Sequence, residues 1–257
     1  MSNAPSLSPI DRLLAIMRQL RNPDGGCEWD LAQDFTTISP YTIEEAYEVA
    51  DAIASGSPDA ICDELGDLLL QVVFHAQIAA DKGLFGFDDV ANAISDKMER
   101  RHPHIFGDAT THDVRQQWEQ IKAAERSADG AKSVLDGVAL SLPALLRAQK
   151  LQGRAARAGF DWPDAEGPRA KIAEELEEVE TAPDDAARAE EVGDLLFAVV
   201  NYARHLGVDA ESALRDANAK FARRFMAVEA RAGADMAHMP LDALEAHWQA
   251  VKASEAP

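Results

Sequence analysis

Cysteine is scarce. The 257-residue chain has two, Cys27 and Cys62, and neither belongs to a Cys-x-x-Cys or to a Cys/His set with zinc spacing. That excludes a disulfide framework and a thiolate zinc centre, and two reduced thiols in a cytoplasmic protein are expected. Positive charge is scarce too. Against 45 Asp and Glu stand 25 Lys and Arg, a formal net charge of −20. Such a surface has no electrostatic footprint for nucleic acid or for an anionic membrane. A small polyanionic ligand is still admissible, provided a metal ion and a few local cations offset the field. Long apolar runs are missing: the stretch from Leu65 to Ala80 is broken by Asp67, Gln71, His75 and Gln77, too short and polar to span a bilayer. The N-terminus, MSNAPSLSPIDRL, has no charged region leading into an apolar one and does not read as a signal peptide. There is no G-x-x-x-x-G-K-[ST] and no G-x-G-x-x-G, so phosphates are not expected in a glycine-rich loop. No Ser-His-Asp or Cys-His nucleophilic arrangement suggests itself.

What the chain has instead is helix-forming composition and a repeat. Ala, Leu, Glu and Arg dominate and β-branched runs are few, which favours helix over strand. YTIEEAYEV (41–49) matches KIAEELEEV (171–179), both E-E-x-x-E-V, and DELGDLLLQVV (63–73) matches EEVGDLLFAVV (190–200), both E-x-G-D-L-L. CEWD (27–30) resembles FDWPD (160–164), DKMERR (96–101) resembles NAKFARR (218–224), and WEQIK (118–122) resembles WQAVK (248–252). Five blocks in the same order define two homologous all-α domains in tandem. We expect the first at 1–126, a polar, glycine-containing linker at 127–142, and the second at 143–257, opened by Pro143. Helices are expected near 8–21, 40–55, 58–82, 87–101 and 113–126, then near 143–158, 167–181, 184–206, 209–232 and 240–253.

The acids of the repeat do not all face water. With Glu174 at zero on a helix of about 100° per residue, Glu178 falls near 40°, Lys171 near 60° and Glu175 near 100°, beside the arc of Ile172, Leu176 and Val179. Glu177 and Glu180 lie on the far side and read as ordinary solvated charge. Glu191 and Asp194 share a face that continues through Leu195, Ala198 and Asn201. In the first copy Glu64 and Asp67 lead into Leu68, Gln71 and Phe74 in the same way. Carboxylates on a buried stripe cost several kcal/mol unless paired or metal-bound. Two helices that each offer inward carboxylates make an oxygen-rich site suited to a hard cation such as Mg²⁺, which completes its shell with water and substrate phosphates. A lone acidic block is more often a solvated face; two blocks, each duplicated and each abutting an apolar stripe, favour metal.

The cations fit a phosphate-bearing ligand. Lys220, Arg223 and Arg224 stand at i, i+3 and i+4, as do Lys97, Arg100 and Arg101 in the first copy. A surface salt-bridge stripe has the same spacing. Trp248 and its counterpart Trp118 suit either base stacking or core packing, with packing favoured. His102-Pro-His104 lacks a partner cluster and is not read as a metal site.

E-E-x-x-E followed by E-x-x-D on a second helix resembles the MazG family of all-α nucleoside triphosphate pyrophosphohydrolases, and LLAIMRQLR, GGCEWD and ERRHPHIFGD extend the likeness from about Asp11 to Lys252. The resemblance implies a helical bundle in each copy, a homodimer, and Mg²⁺-dependent cleavage of a nucleoside triphosphate to monophosphate and pyrophosphate, with Mn²⁺ as a substitute ion and broad base specificity. By position it implies Glu175, Glu178, Glu191 and Asp194 as metal ligands, Lys171, Lys220, Arg223 and Arg224 on phosphates, and Trp248 on the nucleotide. Glu174, then Glu175, are the first candidates to activate water. In the first copy Glu45, Glu48, Glu64 and Asp67 would bind metal, but Tyr41 replaces Lys171 and Phe74 replaces Asn201, so the second copy is expected to carry most turnover. The competing expectations are a non-catalytic Mg–nucleotide sensor linked to stress response, and a metal-free helical scaffold.

Overall fold

The computed structural model describes residues 7–107, 114–128 and 130–255, which contain helices and turns and, among those described, no strand. Two compact units divide the chain, residues 1–119 and 120–257.

The first unit is built on a helical hairpin. Helices α3 (Phe35–Ser55) and α4 (Pro58–Asp81) pack against each other, joined where Gly56 takes a left-handed φ of 72° and Ser57 caps the next helix through Ala60 N–H. Helix α1 (Pro9–Leu20) lies on α4, and the short α2 (Glu28–Ala32) leads into the hairpin. Met17, Ile38, Val73, Phe74 and Ile78 form the core between them. Helices α5 (Phe87–Arg101) and α6 (Pro103–Phe106) follow, and α7 (Val114–Ala128) runs across the division of the chain at Glu119.

The second unit repeats the plan. Helices α9 (Glu166–Thr181) and α10 (Asp185–His205) form the hairpin, α8 (Ala144–Arg157) packs across α10, and α11 (Ala210–Ala232) packs on α8 and on α12 (Leu241–Ser254). Asp184 and Asp209 cap α10 and α11 through Ala187 N–H and Ser212 N–H. A 3₁₀ turn, Gly233–His238, precedes α12.

Each of the ten expected helices is present, and the structure adds the short α2, α6 and the 3₁₀ turn. The largest shift is at α3, which begins at Phe35 rather than near residue 40. Asp34 accepts from Thr36 N–H and Thr37 N–H while the Thr37 hydroxyl accepts from Asp34 N–H, a reciprocal cap strong enough to start the helix upstream of Pro40. Pro40 then sits inside α3, where it donates no hydrogen bond to the preceding turn. The stretch expected as a linker is folded at its C-terminal part. Arg154 of α8 donates to the carbonyls of Val134 (3.4 Å), Asp136 and Gly137 (3.4 Å), and Val138 is buried.

Candidate metal and nucleotide site

The hairpin of the second unit brings its acids together. Glu175 and Glu178 come from α9 and Glu191 from α10, and one carboxylate oxygen of each lies within 4.8 Å of the others. Glu175 is buried at 3 % exposure. Its Oε1 lies 2.7 Å from Lys171 Nζ one turn away, and the same ammonium reaches Glu174 Oε1 at 2.8 Å. Hydrogen bonds to Glu174 and then to Glu175 raise the lysine pKa further. The other oxygen, Glu175 Oε2, is buried with no hydrogen-bond partner. A carboxylate oxygen left bare in an apolar surrounding is costly and unusual. Partial desolvation and the charges of Glu175 and Glu191 raise the Glu178 carboxyl above its ordinary value. Gly193, between Glu191 and Asp194, has open space on its side-chain face.

A pocket of about 760 Å³ adjoins this cluster. Lys171, Glu175 and Asp194 stand at its polar end; Pro168, Phe197, Ala198 and the loop residues Phe160 and Trp162 supply apolar wall. Trp162 is seated on the α9 backbone at Gly167, where any Cβ would collide with the indole. Two buried amides also line the pocket. Gln152 Nε2 donates to Phe197 O at 2.8 Å, which leaves Gln152 Oε1 buried without a partner. Asn201 Oδ1 accepts from Arg204 Nε at 2.9 Å. Arg204 in turn grips Asp161 through both terminal nitrogens at 3.0 and 2.5 Å, and His205 Nε2 lies 2.9 Å from the same carboxylate. Chiefly the Arg204 hydrogen bonds hold the Asp161 carboxyl below its ordinary value.

The sequence-derived site residues therefore separate into two groups. Glu175, Glu178 and Glu191 converge; Asp194 lies outside that trio but on the wall of the same pocket, and Glu174 is exposed and held by Lys171. Lys220, Arg223, Arg224 and Trp248 do not line the pocket. Arg224 bonds Glu255 Oε2 at 2.7 Å and lies over the Trp248 ring, and Phe221 packs beside that ring at 5.5 Å. Arg223 Nε lies 3.5 Å from Glu255 Oε1. Sequence reasoning missed Gln152, Asp161, Trp162 and Arg204 as parts of the site. Trp162 had a signal, since its block recurs as CEWD; the others come from contacts between residues 40 or more apart, which no local pattern reveals.

The first unit carries the same trio: Glu45, Glu48 and Glu64 each place an oxygen within 4.8 Å of the others. Desolvation, then the charges of Asp67 and Glu48, raises Glu45; desolvation, then Glu48 and Asp67, raises Glu64. Gln71 Nε2 donates to Glu45 Oε1 at 3.3 Å. The surroundings differ. Trp29 meets both Tyr41 and Phe74 edge-on at 6.3 Å, and the Arg21 guanidinium lies over Phe74 at 5.6 Å. In the repeat these three aromatics correspond to Trp162, Lys171 and Asn201, all lining the pocket of the second unit. A Glu-x-x-His spacing, the mark of di-iron carboxylate bundles, occurs at Glu99–His102 outside both trios, and His102 Nδ1 lies 2.7 Å from Met98 O.

The chain is thus an all-α protein with two tandem carboxylate trios, the second beside a pocket of about 760 Å³. The family model of the MazG nucleotide pyrophosphohydrolase domain matches residues 33–106 and 167–228, one segment in each copy, and the chain belongs to this family. It is similar over nearly its whole length to a nucleoside triphosphate pyrophosphohydrolase of Escherichia coli K12, 51 % identical over 260 residues that cover 97 % of this chain and 99 % of the relative. A nucleoside triphosphate pyrophosphohydrolase/pyrophosphatase MazG of Thermotoga maritima is 44 % identical over 249 residues, 96 % of each chain. A nucleoside triphosphate pyrophosphohydrolase of Mycobacterium tuberculosis H37Rv is 34 % identical over 267 residues, 96 % of this chain and 71 % of the relative. Among the described residues no helix is long and apolar enough to cross a membrane.

Proposed function

We propose that the chain is a metal-dependent nucleoside triphosphate pyrophosphohydrolase that converts a triphosphate and water to monophosphate and pyrophosphate, mainly in its second unit. The names of the full-length relatives support the reaction. The observation that carries the site is the bare oxygen of Glu175, buried beside Glu178 and Glu191 at the polar end of the pocket. An all-oxygen donor set fits Mg²⁺ first and Mn²⁺ second. Glu175, Glu178 and Glu191 would hold the cation, with Asp194 close by on the pocket wall. When bound, the cation neutralises phosphoryl charge and acidifies a water.

The chain's own groups divide the remaining work. Lys171 fixes Glu175 through one oxygen and leaves the other free to bind. The apolar pocket holds the nucleoside, and its aromatic wall suits any base face. Glu174 or Glu175 takes the proton of the attacking water; the new bond forms from water oxygen to the α-phosphorus, and the α–β bridging oxygen leaves with pyrophosphate. Lys220, Arg223, Arg224 and Trp248 stand apart from the pocket lining. Their part in phosphate and nucleotide binding requires them to meet the substrate in the homodimer, which the exposed Leu176, Leu196 and Phe225 favour. The first unit keeps its carboxylates but sets Tyr41 and Phe74 edge-on to Trp29 where the second unit has Lys171 and Asn201 beside Trp162, which supports a metal-binding, largely structural role.

Product analysis tests the reading. Each common triphosphate, with and without Mg²⁺, is incubated with the protein and followed by ³¹P NMR. Monophosphate and pyrophosphate formed only with the metal is the expected result. Diphosphate and orthophosphate would mean cleavage at the wrong bond, and binding without any product would make the protein a nucleotide sensor.

A further inference from the structure

Residues 130–142 precede α8 and carry no helix, yet they are not a slack tether. Asp136 closes a turn on itself: its Oδ2 accepts from Lys132 N–H at 2.7 Å and Ser133 N–H at 2.9 Å. Gly137 sustains the chain reversal with a φ of 79°. Arg154 of α8 then donates to the carbonyls of Val134, Asp136 and Gly137, so one guanidinium ties three residues of the turn to the helix that also bears Gln152. Between these tied carbonyls lies Leu135, which lines the same pocket as Glu175 and Trp162 and is itself 40 % exposed.

An exposed leucine in a turn is ordinary on its own. This one is held in place by a planar, multi-donor clamp on the backbone carbonyls around it, and it stands at an apolar cavity that otherwise belongs to α8, α9, α10 and the loop at 159–162. We infer that the turn at 133–137 is a substrate-positioning strap: Leu135 supplies a wall against the nucleoside, and Arg154 is the positioning residue that sets it. The inference rests on the reading of this pocket as the nucleoside pocket. Leu135 then acts on the base and ribose end of the substrate and not on the phosphates, which the charged end receives. It gives the stretch that joins the two copies a direct part in substrate affinity.

The test uses the full chain with Mg²⁺ and ATP, with tripolyphosphate, which has no nucleoside, as a competitive inhibitor. Leu135→Ala is expected to raise KM roughly five- to tenfold, in proportion to the apolar surface that no longer meets the nucleoside, with kcat within about twofold. The inhibition constant of tripolyphosphate should not change. Arg154→Ala should give the same pattern, and the double variant should be no worse than either single one, as for residues acting through one element. Leu135→Met should keep the parent KM. An unchanged KM in Leu135→Ala, or a tripolyphosphate constant rising in step with KM, would overturn the strap. Should Arg154→Ala fail to fold, the leucine variants decide alone. Failure of the unaltered chain to release pyrophosphate from any triphosphate is a separate outcome: it removes the pyrophosphohydrolase reading, and the strap with it.

Discussion

Lys171 and Glu175 stand one turn apart on α9 with Nζ 2.7 Å from Oε1, and the glutamate side chain is only 5 % exposed. The ammonium satisfies one oxygen and leaves its neighbour bare. Lys171 thus fixes the orientation of a metal ligand in the way outer groups commonly do, and Lys171→Met should weaken Mg²⁺ binding about 10- to 100-fold, read by calorimetry or by Mn²⁺ electron paramagnetic resonance. Unchanged metal affinity would assign the lysine to phosphate alone.

Glu191→Ala should abolish turnover, while Glu64→Ala, at the matching place in the first copy, should leave most of it. Steady-state pyrophosphate release compares the two. The reverse order would move the working centre to the first unit.

Mg²⁺ should stabilise the protein. A ligand held only by the native state at a hundredfold excess over its Kd contributes about 2.7 kcal/mol, several degrees in Tm for a chain of this size. Calorimetric scans with Mg²⁺ and with chelator should differ by at least that much, and Glu191→Ala should lose the part of the shift that belongs to the second unit, leaving what the first unit's trio contributes. No shift in the unaltered chain would favour the scaffold.

Nucleotide should bind once per chain. With Ca²⁺ and a non-hydrolysable triphosphate, titration calorimetry should give a stoichiometry near one, because Trp29, Tyr41 and Phe74 pack together where the second unit has its opening. A value near two would show the first unit open to nucleotide.

Asp161 should make stability pH-dependent. Its folded pKa lies below the ordinary 3.8, chiefly through the hydrogen bonds from Arg204. A depressed carboxyl contributes stability that is fully present above the ordinary value and is lost as pH falls through the folded one. Asp161→Asn should therefore lower Tm at pH 7, and the gap to the parent should close below about pH 4. A constant gap across that range would mean the pair is structural packing and not charge.

The helices were legible because their signals are local. Asp184 and Asp209 cap, Pro58 opens α4, and apolar residues recur at helical spacing. The start of α3 was misplaced because Pro40 is a stronger visible boundary than the Asp34–Thr37 cap upstream of it. At the site, that Glu175, Glu178 and Glu191 turn inward could be read from duplication and helical angle, though Glu174 shares their stripe and only the resemblance set it apart from the metal ligands. The separation of Lys220, Arg223 and Arg224 from those acids could not, since spacing along α11 says which residues share a face but not what that face meets. Gln152 and Arg204 were invisible for the same reason: their partners, Phe197 and Asp161, lie 45 and 43 residues away.

The clamp of Arg154 on the carbonyls at 134–137 also bears on where the molecule can be dissected. A fragment cut at Pro143, where the sequence repeat begins, would keep every repeated motif and discard one wall of the pocket. A cut upstream of Lys132 would retain it. The contacts of the second copy extend upstream of its first recognisable repeat, into a stretch that the repeat itself does not contain.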